Sequence, residues 1–257
     1  GDDEAAAIAA AAAAAASAAT VSAAPAAVMD PATGAVVPRE EAAAAPDLTG
    51  TASDVAAALP VRTVKNHTIY PVANFKFGEK PAKKEKDATI AVRMHRMKQK
   101  YEVEGARRSV EAVLIVHQYN HPHILLLQAG GFFKLPGGRL RPGEEELDGL
   151  KRKLESNLSP ESDTLKVDWE IGDCVGCFYR PNFETAVYPY LPAHITRPKE
   201  VKRLFIVNLP PSCYFAVPAN LKLLAVPLFE LYDNAQRYGP VIAGLPLMLS
   251  QFQFVKA

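Results

Sequence analysis

Between residues 110 and 158 the chain runs, in close succession, through an apolar segment, a tight turn, a second apolar segment, a glycine-rich turn and an amphipathic helix. Residues 111–117 (Glu-Ala-Val-Leu-Ile-Val-His) have the length and β-branched content of a buried strand. Tyr119-Asn120-His121-Pro122 supplies turn residues, and residues 123–128 return as a second strand. Gly130, Gly131, Gly137 and Gly138 then bracket Phe132-Phe133-Lys134-Leu135-Pro136. A polar loop follows, and Leu147, Leu150, Leu154 and Leu158 recur at helical spacing in a helix expected over 144–158. Residues 168–179, 203–209 and 221–226 read as further strands, and a helix is expected over 240–252, entered through Tyr238-Gly239. Strands, helix, strands, helix define an α/β fold: a mixed β-sheet flanked by α-helices, an α/β/α sandwich. Residues 61–77 are expected as an extended N-terminal arm packed on it. Asp87 is the expected N-cap of a helix through Lys100, with Ile90, Met94 and Met97 on one side.

Composition divides the 257 residues in two. Residues 1–60 hold 27 alanines, no aromatic residue and one arginine against eight acidic residues, a charge of −7. With a total of +1, residues 61–257 carry +8. The first segment cannot build a core and is expected to be a disordered, alanine-rich acidic tail, with some helix in the alanine run at 5–16. Acidic residues before that run exclude a secretory signal, and no stretch of about eighteen strongly apolar residues exists to span a membrane. The basic remainder, residues 61–257, is expected to be one domain and suits an anionic partner such as RNA, or simply a solvated basic surface. Three cysteines fit a reducing compartment. Cys174 and Cys177 have C-x-x-C spacing, but no second pair follows and Ile171, Val175, Phe178 and Tyr179 around them read as a strand, so buried or edge-strand cysteines are expected rather than a zinc site. His117, His121 and His123 alternate across the hairpin and are expected as exposed hairpin residues rather than metal ligands.

The glycine-rich turn, following glutamate and amphipathic helix resemble the Nudix box, G-x5-E-x7-R-E-U-x-E-E-x-G-U, where U is a bulky aliphatic residue. Gly138 takes the first glycine, Glu144 the first glutamate, Arg152 the arginine and Leu154 the aliphatic position. The remaining acids are replaced: Lys153 stands at the glutamate after the arginine, Ser156 and Asn157 at the next pair, and Ser159 at the glycine. In active members those glutamates share one helical face and hold the divalent ion that polarises a pyrophosphate. A lysine charge about 4 Å from a dication, at an effective dielectric near 20, is repelled by roughly 8 kcal/mol before relaxation. No metal, no cofactor and no hydrolase activity are therefore expected. Glu144, Glu145 and Glu146 read as an acidic first turn favoured by the helix dipole.

Longer runs carry a more specific likeness. Residues 110–117, 132–138, 189–200 (Pro-Tyr-Leu-Pro-Ala-His-Ile-Thr-Arg-Pro-Lys-Glu), 215–218, 227–234 (Pro-Leu-Phe-Glu-Leu-Tyr-Asp-Asn) and 238–240 resemble the small, Nudix-type subunits of pre-mRNA cleavage factor I. The likeness covers nearly all of 61–257 and none of the tail. It implies a nuclear homodimer that binds single-stranded RNA carrying UGUA upstream of poly(A) sites, beside a larger subunit with an RNA-recognition domain. It also implies an RNA site comprising Glu85, Arg93, Glu111, Phe132, Phe133, Leu135, Tyr238 and Gly239. These residue types suit base recognition, since aromatic rings stack splayed bases while an arginine or carboxylate reads base edges without a metal. Other readings stand beside it. Phe133 and Leu135 equally fit a core, and Arg93 and Glu111 an ion pair. This chain also departs from the animal members, with a loop one residue shorter before Phe132, Gly131 in place of a threonine, and Cys177-Phe178-Tyr179 in place of Asn-Trp-Trp. Two alternatives remain: a scaffold whose partner binds the RNA, and a residual Nudix hydrolase with metal held by Glu144, Glu145 and Glu146.

Overall fold

The run from Arg107 to Gln118 is apolar on alternate residues of both kinds, and a strand of that pattern requires a layer on each side. The computed structural model describes residues 64–83, 87 and 89–257. In chain order these form β1 (Lys65–Ile69), β2 (Phe75–Lys80), α1 (Ile90–Glu104), β3 (Arg107–Gln118), β4 (His121–Ala129), β5 (Phe132–Lys134), β6 (Gly137–Arg139) and α2 (Glu146–Leu158). There follow β7 (Glu170–Arg180), β8 (Glu200–Asn208), β9 (Cys213–Pro218), β10 (Lys222–Pro227), the short helices α3 (Leu228–Leu231), α4 (Ala235–Tyr238), α5 (Pro240–Ala243) and α6 (Leu245–Leu249), and β11 (Phe252–Lys256).

The main sheet has the order β10-β4-β3-β8-β7, with β5 paired to β4 and β6 to β3. β3 and β8 run parallel, and the other pairs in it are antiparallel, so the sheet is mixed. Val110, Ala112, Leu114, Val116, Leu125 and Leu127 point to one face, where Leu150, Leu154 and Leu158 of α2 meet them beside Trp169 and Phe215. Val113, Ile115, Ile124, Leu126, Leu204 and Ile206 point to the other, under Ile242, Leu245 and Leu249 of the C-terminal helices. The expected α/β/α arrangement is thus present, and period-two alternation sorts the two cores.

Several expectations are corrected. The N-terminal arm is itself sheet: β1 pairs parallel with β11 and β2 parallel with β9. The helix expected from Asp87 begins at Ile90, because Thr89 holds the extended backbone before it and its hydroxyl accepts the Val92 N–H at 3.2 Å. Asp87 instead forks onto the Arg96 guanidinium. Met97 is buried as expected, but Ile90 is exposed. The long C-terminal helix is broken where Gly244 and Pro246 fall, and the chain ends in β11. Tyr119 and Asn120 both take positive φ, the two-residue turn that matches strand twist. Of the hairpin histidines His121 is exposed, whereas His123 is buried with Nδ1 2.8 Å from the His121 carbonyl and His117 is half-buried. Cys174 and Cys177 lie on β7, a strand at the sheet's edge, as their neighbours indicated. The expected tail, the helix in its alanine run and the boundary at residue 61 lie outside the described residues.

Candidate nucleic-acid interface

Gly137 must come within van der Waals contact of β3 for β6 to pair there: a Cβ on it would lie 2.2 Å from the Val110 carbonyl oxygen. That approach fixes the far end of the 132–138 segment against Glu111, while β5 fixes its start against β4 through Ala129 and Phe132. Phe132 is left 73% exposed at the rim, the disposition of a stacking platform. Phe133, half-buried, packs its ring on Tyr238 with centroids 4.7 Å apart, and the Arg237 guanidinium lies 5.8 Å from one ring and 5.2 Å from the other. Gly239 follows with φ 83°, a conformation that favours glycine, and a Cβ there would meet nothing within 4 Å.

The other expected residues fall in different settings. Glu111 does not pair with Arg93; its carboxylate accepts Lys202 Nζ at 2.6 Å, with both side chains mostly buried. Arg93 is exposed on the first turn of α1. Leu135 and Tyr238 were expected among the contacts, but their side chains are only 4% and 5% exposed and belong to the core. The Tyr238 hydroxyl donates to Glu230, and burial, reinforced by that carboxylate, pushes its pKa up to about 12. Phe133 packs against both residues' core cluster. Glu85 lies outside the described residues.

Beside this surface, the Nudix loop and helix are rigidly paired. Arg152 donates two hydrogen bonds of 2.6 Å to Glu144, which also accepts the Arg141 N–H at 2.7 Å. Glu146 spends its two oxygens on Arg108 at 3.1 Å and Arg203 at 2.8 Å. Where metal-ligating glutamates would stand, the Lys153 stem lies against Gly138, whose Cβ would be 3.3 Å from Lys153 Cδ and Cε. Asn157 donates to the Gly137 carbonyl at 3.1 Å. Lys83 Nζ donates to Ser156 Oγ at 3.0 Å and Asn157 Oδ1 at 2.9 Å, its backbone pinned by Asn220. An ammonium thus sits on the two positions where paired carboxylates would hold a dication. Neutral oxygens bonded to a lysine, with Glu144 and Glu146 committed to arginines, do not fit a divalent ion.

A model of the Nudix family, described as nucleotide hydrolase, matches residues 65–252. Pre-mRNA cleavage factor Im 25 kDa subunit 2 of Arabidopsis thaliana is 62% identical over 186 residues, 72% of this chain and 93% of that protein. The chain belongs to this family of Nudix-type cleavage factor subunits. Cleavage and polyadenylation specificity factor subunit 5 of Dictyostelium discoideum is 50% identical over 195 residues, 75% of this chain and 97% of that one. Pre-mRNA cleavage factor Im 25 kDa subunit 1 of Arabidopsis thaliana is 50% identical over 187 residues, 72% and 84% of the respective chains.

Three residues of this cleavage factor subunit carry no local sequence signal strong enough to single them out. Lys83 lies in a lysine-rich loop, and nothing nearby says that it reaches α2. Lys202 meets Glu111 only through the parallel pairing of β3 with β8. Arg237 has the clearest cue of the three, since it directly precedes Tyr238-Gly239. The Glu144–Arg152 fork has a titration consequence. The Arg152 hydrogen bonds, aided by the Arg141 N–H, draw the Glu144 carboxyl from 4.5 down to about 2 despite some burial. A depressed carboxyl stabilises the fold above its unfolded pKa and loses that contribution as pH falls through the folded value. Urea unfolding of wild type and Glu144→Gln should therefore show a constant stability gap above pH 4.5 that closes between pH 4.5 and about 2.

Proposed function

We propose that this chain is a non-catalytic RNA-binding subunit that recognises UGUA elements in pre-mRNA 3′ ends, as a nuclear homodimer beside a larger subunit with an RNA-recognition domain. The observation that carries the loss of hydrolysis is the Lys83 ammonium bonded to Ser156 and Asn157, in place of carboxylates around a metal. With no place for a metal, the frame becomes a rigid support. It presents exposed Phe132 for stacking and holds Glu111 as an acceptor for base N–H groups. The names of the relatives supply the setting in cleavage and polyadenylation.

The test is titration of the full chain with a UGUA-containing RNA and a scrambled control at fixed salt, with Phe132→Ala alongside. UGUA should bind at least about tenfold tighter, a gap of roughly 1.4 kcal/mol. Losing the stacking ring should weaken it by about 1–3 kcal/mol. Equal binding of both RNAs that vanishes with added salt would leave only the basic charge at work, and the scaffold reading would replace this one. Mg²⁺-dependent turnover of a dinucleoside polyphosphate, abolished by Glu144→Gln, would overturn the non-catalytic part.

A further inference from the structure

At the C-terminal end of α1 a cavity of about 170 Å³, with Phe132 outside its lining, opens between that helix, the start of β3 and the loop after β6. Six cationic side chains line it: Lys100, Arg107, Arg108, Arg139, Arg141 and Lys199. Among the described residues the lining holds one carboxylate, Glu104, shared by Lys100 at 3.4 Å and by Arg139. Arg108 reaches outward to the Glu144 carbonyl and to Glu146. Lys199 donates to the Tyr101 hydroxyl at 3.4 Å and lies over the Tyr101 ring. Among the described residues, no carboxylate is hydrogen-bonded or ion-paired to the Arg107 or the Arg141 guanidinium; Glu144 accepts only the backbone N–H of Arg141.

Arg107 is the unusual member. Its side chain is half-buried, and burial presses its pKa below the ordinary value. Glu200 acts against that, but its two oxygens are committed to Ser109 and Arg180, while Arg93, Arg96 and Arg180 add further positive charge around Arg107. Arg139, then burial, then Arg96 and Arg107 likewise push Lys100 below its usual range. A guanidinium removed from water amid other cations is expensive unless an anion meets it. A planar fork of donors matches phosphate oxygens better than any other common ligand. The volume is below the roughly 300–1,000 Å³ of a site for a whole drug-sized ligand, so a phosphate or diphosphate head fits and an entire nucleotide does not.

We propose that this cavity is a phosphate-binding site anchored by Arg107, with Lys100, Arg141 and Lys199 completing the cationic wall. The phosphate belongs to an RNA strand passing the domain or to a free phosphate compound, and the site stands whether or not the chain reads UGUA. The experiment is calorimetric titration of the full chain with inorganic pyrophosphate at low, fixed ionic strength. Arg107→Gln should weaken binding at least about tenfold, and Arg107→Lys should also weaken it because an ammonium keeps the charge but lacks the fork. Lys76→Gln, which removes an exposed charge on β2, should leave it unchanged. Arg141→Gln, at an exposed position, reads the same site if the Arg107 variants fail to fold. A second arm compares the UGUA tetranucleotide with the same tetranucleotide inside a longer strand. If Arg107→Gln weakens only the longer strand, the site takes a backbone phosphate; if it changes neither RNA yet abolishes pyrophosphate binding, it takes a free phosphate compound. Absence of pyrophosphate binding, or equal losses in Arg107→Gln and Lys76→Gln, would overturn the proposal.

Discussion

Glu200→Ala should destabilise the protein by about 3–5 kcal/mol, read as a fall in the urea midpoint with unchanged slope. Glu200 and Arg180 face each other across β8 and β7, both buried, with Arg180 Nε 2.9 Å from one carboxylate oxygen and Ser109 Oγ 2.7 Å from the other. Burial alone would raise the Glu200 pKa, but Lys202, the Ser109 hydrogen bond and Arg180 together hold it below the usual range. Removing the carboxylate strands Arg180 in low dielectric and withdraws an acid acting on Arg107. The damage should reach the candidate interface, because β8 also carries Lys202, the partner of Glu111. A double replacement, Glu200→Leu with Arg180→Met, should be much milder, since it leaves no orphaned charge. Equal losses in the single and double variants would show that packing, not charge, makes Glu200 necessary.

Gly137→Ala is the second large effect. Its Cβ would lie 2.2 Å from the Val110 carbonyl and 2.7 Å from Glu111 Cα, both backbone atoms that cannot swing aside. The residue also has φ 152°, at the edge of what L side chains adopt. Overpacking and backbone strain each cost about 1–3 kcal/mol, so a loss of roughly 2–6 kcal/mol is expected. Relief requires β6 to part from β3, which would break the Ala112 N–H to Pro136 bond and the Asn157 bond to the Gly137 carbonyl. RNA affinity should fall with it, because residues 132–138 lose their anchor beside Glu111. Gly143→Ala is the control: φ is 74° but nothing lies within 4 Å of its Cβ, so only about 1 kcal/mol of strain is expected. Comparable thermal shifts for the two variants would sink the close-approach argument.

The hairpin of β3 and β4 is legible in the sequence because its signals are local: an apolar run, Tyr119-Asn120 in a tight turn, and an apolar return. The α2 helix is legible for the same reason, although Leu147 of its leucine set stays exposed while Leu150, Leu154 and Leu158 are buried. β9 gives no such signal, and β1 and β2 read as an arm, because each pairs with a strand more than a hundred residues away. A mixed apolar and aromatic segment reads the same whether it lies over a surface or joins a ladder. The C-terminal helix expected over 240–252 is too long for a different reason: apolar spacing continues across Gly244 and Pro246, whose backbone chemistry interrupts the helix.

The candidate site divides along the same line. Residue type alone set the expectation that Lys153, Ser156 and Asn157 would not supply a Mg²⁺ site, because ligand charge follows from side-chain chemistry and one helical face from spacing. Composition likewise separated an acidic, alanine-rich segment from a basic remainder. Tertiary structure decided what meets Ser156 and Asn157, which of Phe132, Phe133, Leu135 and Tyr238 face outward, and which cation meets Glu111. It also decided that six cations from α1, β3, β6 and the loops would converge on one cavity. Those outcomes depend on contacts between segments far apart in the chain, and their burial and charge balance exist only once the sheet has brought the segments together.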